Sequence, residues 1–462
     1  MPPSLNIKLI QFAYQTQGMK TLHLTSLGCA KNLVDSELML GSLELSGWRT
    51  VDDPASADLL LINTCGFIRP AVEEAVDEIL RLAEYKQAAP AKKLVVTGCL
   101  VQRYGANLAK ELPEVDLFVG IDDEARLPEL IQQMPSNASV VLRQPSCFLS
   151  SSTMPRRLST PFFRSWLKIT EGCDNRCTYC MIPAIRGSLR SRPIADLAAE
   201  ARALGQAGVQ ELSLIAQDLT AYGNDLDRAS NLPALLRELL TATDIPWLRL
   251  LYLYPASVTD ELLDLMAAER CLLPYLDIPF QHVSDQVLQR MNRRYGRQDL
   301  DCLIARIRKQ VPDCALRTTL MVGFPGETEE DVEELLAALQ DWRLDHVGVF
   351  PYQDEEGAPA ADFLPKVPDE VKQERFQQVM ELQAAISQER LQGYVGQEME
   401  VLVEGLSQET DLLLEGRTRF QAPEIDGCVY INEGGASPGD IVTVRITEAH
   451  IYDLVGGIVG AE

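Results

Sequence analysis

The chain has 462 residues, with 67 Asp and Glu against 42 Lys and Arg, a net charge of −25, and 46% hydrophobic residues. At roughly 150 residues per domain, that is about three domains of ordinary globular composition. The acidic balance argues against a simple nucleic-acid binder, whose phosphate contacts need excess basic charge, and favours a small-molecule substrate or a basic protein partner.

Residues 1–18 show neither a secretory signal nor a strand pattern and read either as an extension ahead of the first element or as a misassigned start. From Met19 onward apolar, β-branched runs (TLHLTSLG, DLLLINT, KKLVVTG, VDLFVG) alternate with helical patterns (SELMLGSLELSG, RPAVEEAVDEILRLAEY, QRYGANLAKEL). That βαβα order predicts a parallel α/β domain over 19–135. Residues 136–160, rich in Ser, Pro, Arg and Gln without period, read as a linker. Over 161–392 six strands (RSWLKIT, VQELSLIAQ, WLRLLYLYP, YLDIPFQ, ALRTTLMVGF, HVGVFPY) again alternate with helices. This predicts a full or partial (β/α) barrel, whose chemistry gathers at the C-terminal strand ends. Residues 394–462 are Gly-punctuated and strand-rich (MEVLVEG, DLLLEGRT, CVYINEG, IVTVRITEA) and predict a small all-β barrel. No run of eighteen apolar residues is present, so no spanning helix is expected.

Eleven cysteines in a chain without an export signal point to metal or redox chemistry in a reducing cytoplasm, not to disulfides. Cys173-x₃-Cys177-x₂-Cys180 follows the strand RSWLKIT directly. Three thiolates on one loop can ligate three irons of a [4Fe–4S] cluster and leave the fourth iron open for chemistry. A zinc knuckle would want a fourth Cys or His, and none lies between Glu171 and Gly187. Cys29, Cys65 and Cys99 each stand immediately after a predicted parallel strand, in SLGC, NTCG and TGCL. Parallel strands end along one edge, so these three should converge as a second cluster site. A single free cysteine at such a place would be ordinary packing; three at equivalent turns are not.

Weaker signals also sit at strand ends. Gln217 with Asp218, Arg317 with Thr319, and the turn Gly323-Phe-Pro-Gly326-Glu327 could each touch a cofactor. Thr328 is placed to cap the helix after that turn. His282 is the stronger site candidate among the four histidines. Arg186, Arg190 and Arg192 form a basic island that reads either as an anion site or as a solvated face.

At this point the residues resemble a known family. The Cys173/Cys177/Cys180 spacing is similar to the radical S-adenosylmethionine signature, and ITEGCDNRCTYCMIPAIRGSLRSRP resembles that of the methylthiotransferases. Their layout covers nearly the whole chain: an N-terminal domain with three cluster cysteines, a radical-SAM core and a C-terminal TRAM domain. One branch modifies an adenosine in transfer RNA; the other methylthiolates an aspartate of ribosomal protein S-twelve in the small subunit. SLGCAKNLVDSE, NTCGFI and DIPFQHVSD resemble the ribosomal-protein branch at the points where the RNA branch tends toward GCQMN-like and PVQSGSD-like strings. The tail from Tyr394 carries 13 Asp and Glu against 3 Arg, a net of −10, which should repel phosphate and suit a basic ribosomal protein.

The resemblance implies two [4Fe–4S] clusters, one on Cys173, Cys177 and Cys180 and an auxiliary one on Cys29, Cys65 and Cys99. It also implies S-adenosylmethionine as cofactor, which Gln217, Arg317, Thr319 and Gly323 could touch by their strand-end positions, and an external electron donor. The two clusters would then face each other across the domain boundary. The transfer-RNA enzyme, an iron–sulfur carrier without catalysis, and a nucleic-acid-binding module, which the acidic tail opposes, remain the competing readings.

Overall fold

The computed structural model describes residues 20–134, 139–227 and 229–460, and the extension at 1–18 lies outside them. The leucine- and valine-rich runs of the first region pair as one all-parallel sheet. Its strands are β1 (Lys20–Ser26), β2 (Trp48–Thr50), β3 (Leu59–Thr64), β4 (Lys93–Gly98), β5 (Leu117–Val119) and β6 (Ser139–Val141), in the order β2-β1-β3-β4-β5-β6. Every residue of β3 is buried, which is why LLLINT shows no alternation: helices cover both faces of the sheet. Helix α1 (Ala30–Leu45) packs Met39, Leu40 and Leu43 on one face. Helix α2 (Arg69–Ala88) packs Ile79 and Leu82 on the other. Strand order reverses at β1 and β3, so the chain leaves these strands in opposite directions and opens a crevice at their C-terminal ends.

Three local expectations are corrected. β2 and β6 have three residues each, too few for any periodic signal, and β6 lies inside the stretch read as linker. Helix α1 begins at Ala30, directly behind Cys29, and not at Ser36. Asp35 and Ser36 resemble a helix start because they are polar before an apolar run. In fact Lys31, Asn32, Asp35, Ser36 and Glu37 are helical and buried, since α1 is sandwiched between its own sheet and the central domain.

The central domain runs through β7 (Arg164–Lys168), a two-stranded ribbon of β8 (Thr170–Glu171) and β9 (Arg190–Ser191), then β10 (Glu211–Ile215), β11 (Trp247–Leu250), β12 (Leu272–Asp277), β13 (Ala315–Val322) and β14 (His346–Pro351). Apart from the ribbon these strands form one open parallel sheet in chain order, β7 to β14, with helices outside: a partial (β/α) barrel. Its convex face is packed by leucines from the surrounding helices. Its concave face carries Trp166, Ile215, Trp247 and Tyr275, and there Val34 of α1 and Leu402 and Ala422 of the C-terminal domain join the same core. All three domains meet on that concave face.

The C-terminal domain is a closed barrel of β15 (Glu398–Leu406), β16 (Leu414–Thr418), β17 (Val429–Glu433), β18 (Ile441–Ala449) and β19 (Leu454–Ile458). β19 went unread because LVGGI carries two glycines, which weaken a strand signal. Among the described residues no helix is long and apolar enough to cross a membrane.

Candidate active site between two cysteine sets

Cys29, Cys65 and Cys99 stand at the ends of β1, β3 and β4, in and beside the crevice. Gly28 has φ +93, and a Cβ there would lie 2.9 Å from the Cys65 Cβ, so only glycine lets these two turns close. Asn32 ties all three turns together. Its Nδ2 donates to Leu27 O (3.1 Å) and Thr64 O (3.0 Å), and its Oδ1 accepts from Cys99 Sγ (3.5 Å). Cys29 is solvent-accessible although it lies deep between the domains, Cys65 is half-buried and Cys99 is buried. Burial pushes the Cys99 thiol up to about 12 and raises Cys65. Burial opposes ionisation of Cys29 as well, but Lys31 and Arg186 outweigh it and hold that thiol below its usual range.

Cys173, Cys177 and Cys180 lie on the loop between β8 and the helix Ile182–Arg186. The loop is pinned by Cys173 N–H to Gly187 O (3.1 Å), Thr178 N–H to Met291 O (3.1 Å) and Asn175 Nδ2 to Asp218 Oδ2 (2.7 Å). Arg293 reaches it from the far side, with Nη1 3.5 Å from Cys177 Sγ and its guanidinium lying against the rings of both Tyr254 and Tyr295. Burial pushes Cys173 up to about 11 and Cys180 to about 12. As free thiols these groups stay protonated, and any cluster must displace their protons.

The two sets are neighbours. Met181, the residue after Cys180, packs with Ile185 in one cluster with Cys99. Arg186, six residues after Cys180, donates to Asn32 Oδ1 (2.6 Å), the same oxygen that meets Cys99. Arg186 also pairs with Asp35 and Glu171 (2.9 Å each), and Lys168 joins the same two carboxylates. Burial opposes ionisation of Glu171, but Lys168 and Arg186 outweigh it and hold the carboxyl at about 2. A second clamp joins Arg103, at the end of α3 (Cys99–Tyr104), to Glu355 of the loop after β14 (3.0 Å). Arg103 also donates to Gly66 O (2.9 Å), holding the Cys65 turn to the same place.

The other sequence-predicted residues fall in two groups. Arg317 and Thr319 do face the concave side, 3.3 Å apart, but Arg317 is engaged by Asp277 (3.2 Å) and by Asp426 of the C-terminal barrel (3.3 Å). The Gln217 side-chain oxygen is buried with no hydrogen-bond partner among the described residues, and neighbouring Asp218 holds Asn175 of the cysteine loop. Gly323 and its turn lie behind the site. Both Glu327 oxygens accept the Gly323 N–H (2.8 Å), a Cβ at Gly323 would meet Lys372 at 2.2 Å, and Phe324 packs on Tyr179 of the cysteine loop. Thr328 caps the following helix as expected.

His282 belongs to that backing layer. It is fully buried, accepts from Ser284 N–H (3.0 Å), and burial pulls it down to about 4. The basic island is neither a solvated face nor an open anion site. Arg186 and Arg192 are buried in ion pairs with this chain's own carboxylates, and Arg190 donates to backbone carbonyls. Sequence reasoning missed Lys31, Asn32, Asp35, Tyr252, Asp277, Arg293 and Asp426. For the first three the signal was present: polar residues directly after a strand-end cysteine, inside a helix too apolar to be a surface helix.

Each donor set is three thiols, the donor chemistry that ligates iron–sulfur clusters, with one thiolate to each of three irons.

Comparison with known proteins agrees along the whole chain. Residues 21–120 match the uncharacterized protein family UPF0004, residues 167–339 the radical SAM superfamily, and residues 395–459 the TRAM domain. A ribosomal protein uS12 methylthiotransferase RimO of Desulfotalea psychrophila is 57% identical over 443 residues, covering 95% of this chain and 99% of that protein. The chain belongs to the RimO family of methylthiotransferases. A RimO of Geobacter sulfurreducens is 47% identical, with 94% and 98% covered. Among solved structures the radical S-adenosylmethionine methyltransferase TsrM of Kitasatospora setae, bound to tryptophan and a SAM analogue, shares the fold at a TM-score of 0.56. It is 18% identical, over 74% of this chain and 75% of that one. This RimO-family chain is thus a transferase of the radical-SAM class.

Proposed function

We propose that this chain methylthiolates the β-carbon of an aspartate in ribosomal protein uS12, with two [4Fe–4S] clusters and S-adenosylmethionine. The observation that supports it is that Cys99 and Met181, the residue after Cys180, share one small buried cluster, and that Asn32 Oδ1 meets both Cys99 and Arg186, so the two three-cysteine groups are neighbours. Cys173, Cys177 and Cys180 would hold one cluster, and Cys29, Cys65 and Cys99 the other. When bound, these groups supply radical chemistry able to remove hydrogen from an unactivated carbon, a sulfur donor and a methyl donor.

The residues of this chain supply position and dryness. Asn32 and Arg186 hold the two sets at one separation. The TRAM barrel reaches into the concave face through Asp426, which accepts from Tyr275 OH (2.7 Å) and from Arg317, and helps to shield that face from bulk water. Gln217, Arg317, Thr319 and Gly323 are assigned to S-adenosylmethionine, the first three by contact and Gly323 through the turn behind the loop.

Charge supports a protein substrate. Glu409, Asp411, Glu424, Glu433, Asp440 and Glu448 are all exposed on the TRAM domain, an arrangement that repels RNA and attracts a basic protein. The test is anaerobic reconstitution with iron and sulfide, followed by S-adenosylmethionine, a reductant and either uS12 or unmodified transfer RNA. Mass spectrometry should find one hydrogen of a uS12 aspartate replaced by a methylthio group, lost on Cys173→Ala or Cys65→Ala. Modified adenosine instead would move the chain to the RNA-modifying branch.

A further inference from the structure

Among the described residues seven Lys and Arg residues are buried, backbone included: Lys31, Lys168, Arg186, Arg192, Arg249, Arg375 and Arg417. Six of them are paired with buried or half-buried carboxylates of this chain. Lys31 is the seventh: it is 7% exposed and forms no ion pair or hydrogen bond among the described residues. An ammonium this enclosed and without an ion pair favours a nearby anion; within the chain that is the Cys29 thiol, which by the reading above would be taken up by an iron, so a free anion for Lys31 has to come with a ligand.

Its surroundings say which one. The Lys31 ammonium lies 3.1 Å from the ring centroid of Tyr252, two residues past the end of β11. Tyr252 holds φ +63, a backbone conformation that costs a bulky residue free energy and recurs at ligand sites. Asp277 fixes it there by accepting its N–H (3.2 Å). Lys31 thus starts on the helix behind solvent-accessible Cys29 and ends on the barrel's concave face, between the auxiliary cysteines and the strand ends of the radical-SAM core. The other cations of that face already have carboxylate partners: Arg317 has Asp277 and Asp426, Arg249 has Glu211, and Lys168 has Asp35 and Glu171.

We propose that Lys31 is the residue that binds the side-chain carboxylate of the substrate aspartate, with the Tyr252 ring as the floor of the subsite. This rests on the function proposed above and goes further: it names the group that selects a carboxylate-bearing residue over its neutral isostere. A carboxylate held by Lys31 fixes the adjacent β-carbon between the two cysteine sets, and an amide in its place leaves the ammonium buried and unpaired.

The test uses the full chain reconstituted with both clusters and two synthetic peptides spanning the target loop of uS12, one with the native aspartate and one with asparagine. Binding is read by fluorescence anisotropy without S-adenosylmethionine, and cluster content by iron analysis and electron paramagnetic resonance. Wild type should prefer the aspartate peptide at least tenfold. Lys31→Met should erase that preference by losing affinity for the aspartate peptide alone, with iron content unchanged, and Lys31→Arg should restore part of it. Equal discrimination by wild type and Lys31→Met overturns the proposal. So does loss of iron or an altered auxiliary-cluster spectrum without a change in the aspartate-to-asparagine ratio, which would make Lys31 a counter-charge for the cluster. Failure of wild type to modify the aspartate peptide or intact uS12 would instead overturn the functional reading itself.

Discussion

Asp35→Ala removes one of the four charges that join the N-terminal domain to the barrel. Asp35 pairs with Lys168 and Arg186, whose one other ion-pair partner among the described residues is Glu171, and all four side chains are 0–2% exposed. The wild-type group balances two cations with two anions. The variant leaves a net positive charge without access to water, and breaking a buried pair in this way costs about 3–5 kcal/mol. By contrast, Arg69 and Glu73 are 74% and 61% exposed, so Glu73→Ala should cost under about 1 kcal/mol.

Urea denaturation followed by tryptophan fluorescence suits the measurement, because Trp166 and Trp247 sit in the core that Val34 of α1 completes. With slopes of roughly 1–3 kcal/mol/M, the midpoint should fall by about 1 M or more. The double variant Asp35→Leu/Lys168→Met should recover much of the loss, since it removes charge in balance. An Asp35→Ala midpoint indistinguishable from that of Glu73→Ala would refute the reasoning. It would mean that water reaches the group or that the domains do not dock through it.

Other consequences follow from single contacts. Arg293→Met removes a charged donor 3.5 Å from Cys177 Sγ, so the reduced state of a cluster there loses stabilisation. Its midpoint potential, read by titration under electron paramagnetic resonance, should fall by roughly 60 mV, a tenfold change for one electron. Burial opposes ionisation of Glu211, but Arg417 and Arg249 outweigh it and hold its folded pKa at about 2 against an ordinary 4.5. That depressed value contributes about 3 kcal/mol above pH 4.5, lost as pH falls toward 2, and Glu211→Gln should lose it at neutral pH as well. Limited proteolysis between the barrel and TRAM domain across that range checks both. Glu355→Ala strands buried Arg103 and frees the Cys65 turn, so iron at the auxiliary site should be lost to a chelator several-fold faster than in wild type.

Much of this molecule was legible in order along the chain. A cysteine directly after each of three apolar runs needs only the rule that parallel strands end on one edge. The Cys173/Cys177/Cys180 spacing is local chemistry that no packing can alter. Strand-forming and helix-forming periods identified three domains because they depend on neighbours a few residues apart.

What lay beyond the sequence depends on which surfaces meet. Lys31, Asn32, Asp35 and Glu37 look like a polar turn until α1 is seen pressed between two domains, where each polar atom needs a partner from far along the chain. Arg186 and Arg192 look like an anion site until their own carboxylates are brought to them. Arg317 receives Asp426 from 109 residues away, and Arg417 receives Glu211 from 206 residues away. Residue type and local spacing determined which atoms could hold clusters. The tertiary structure alone decided which charges hold the domains together and that, among the described residues, buried Lys31 has no carboxylate partner, because pairing in a low-dielectric interior is a property of contacts and not of sequence.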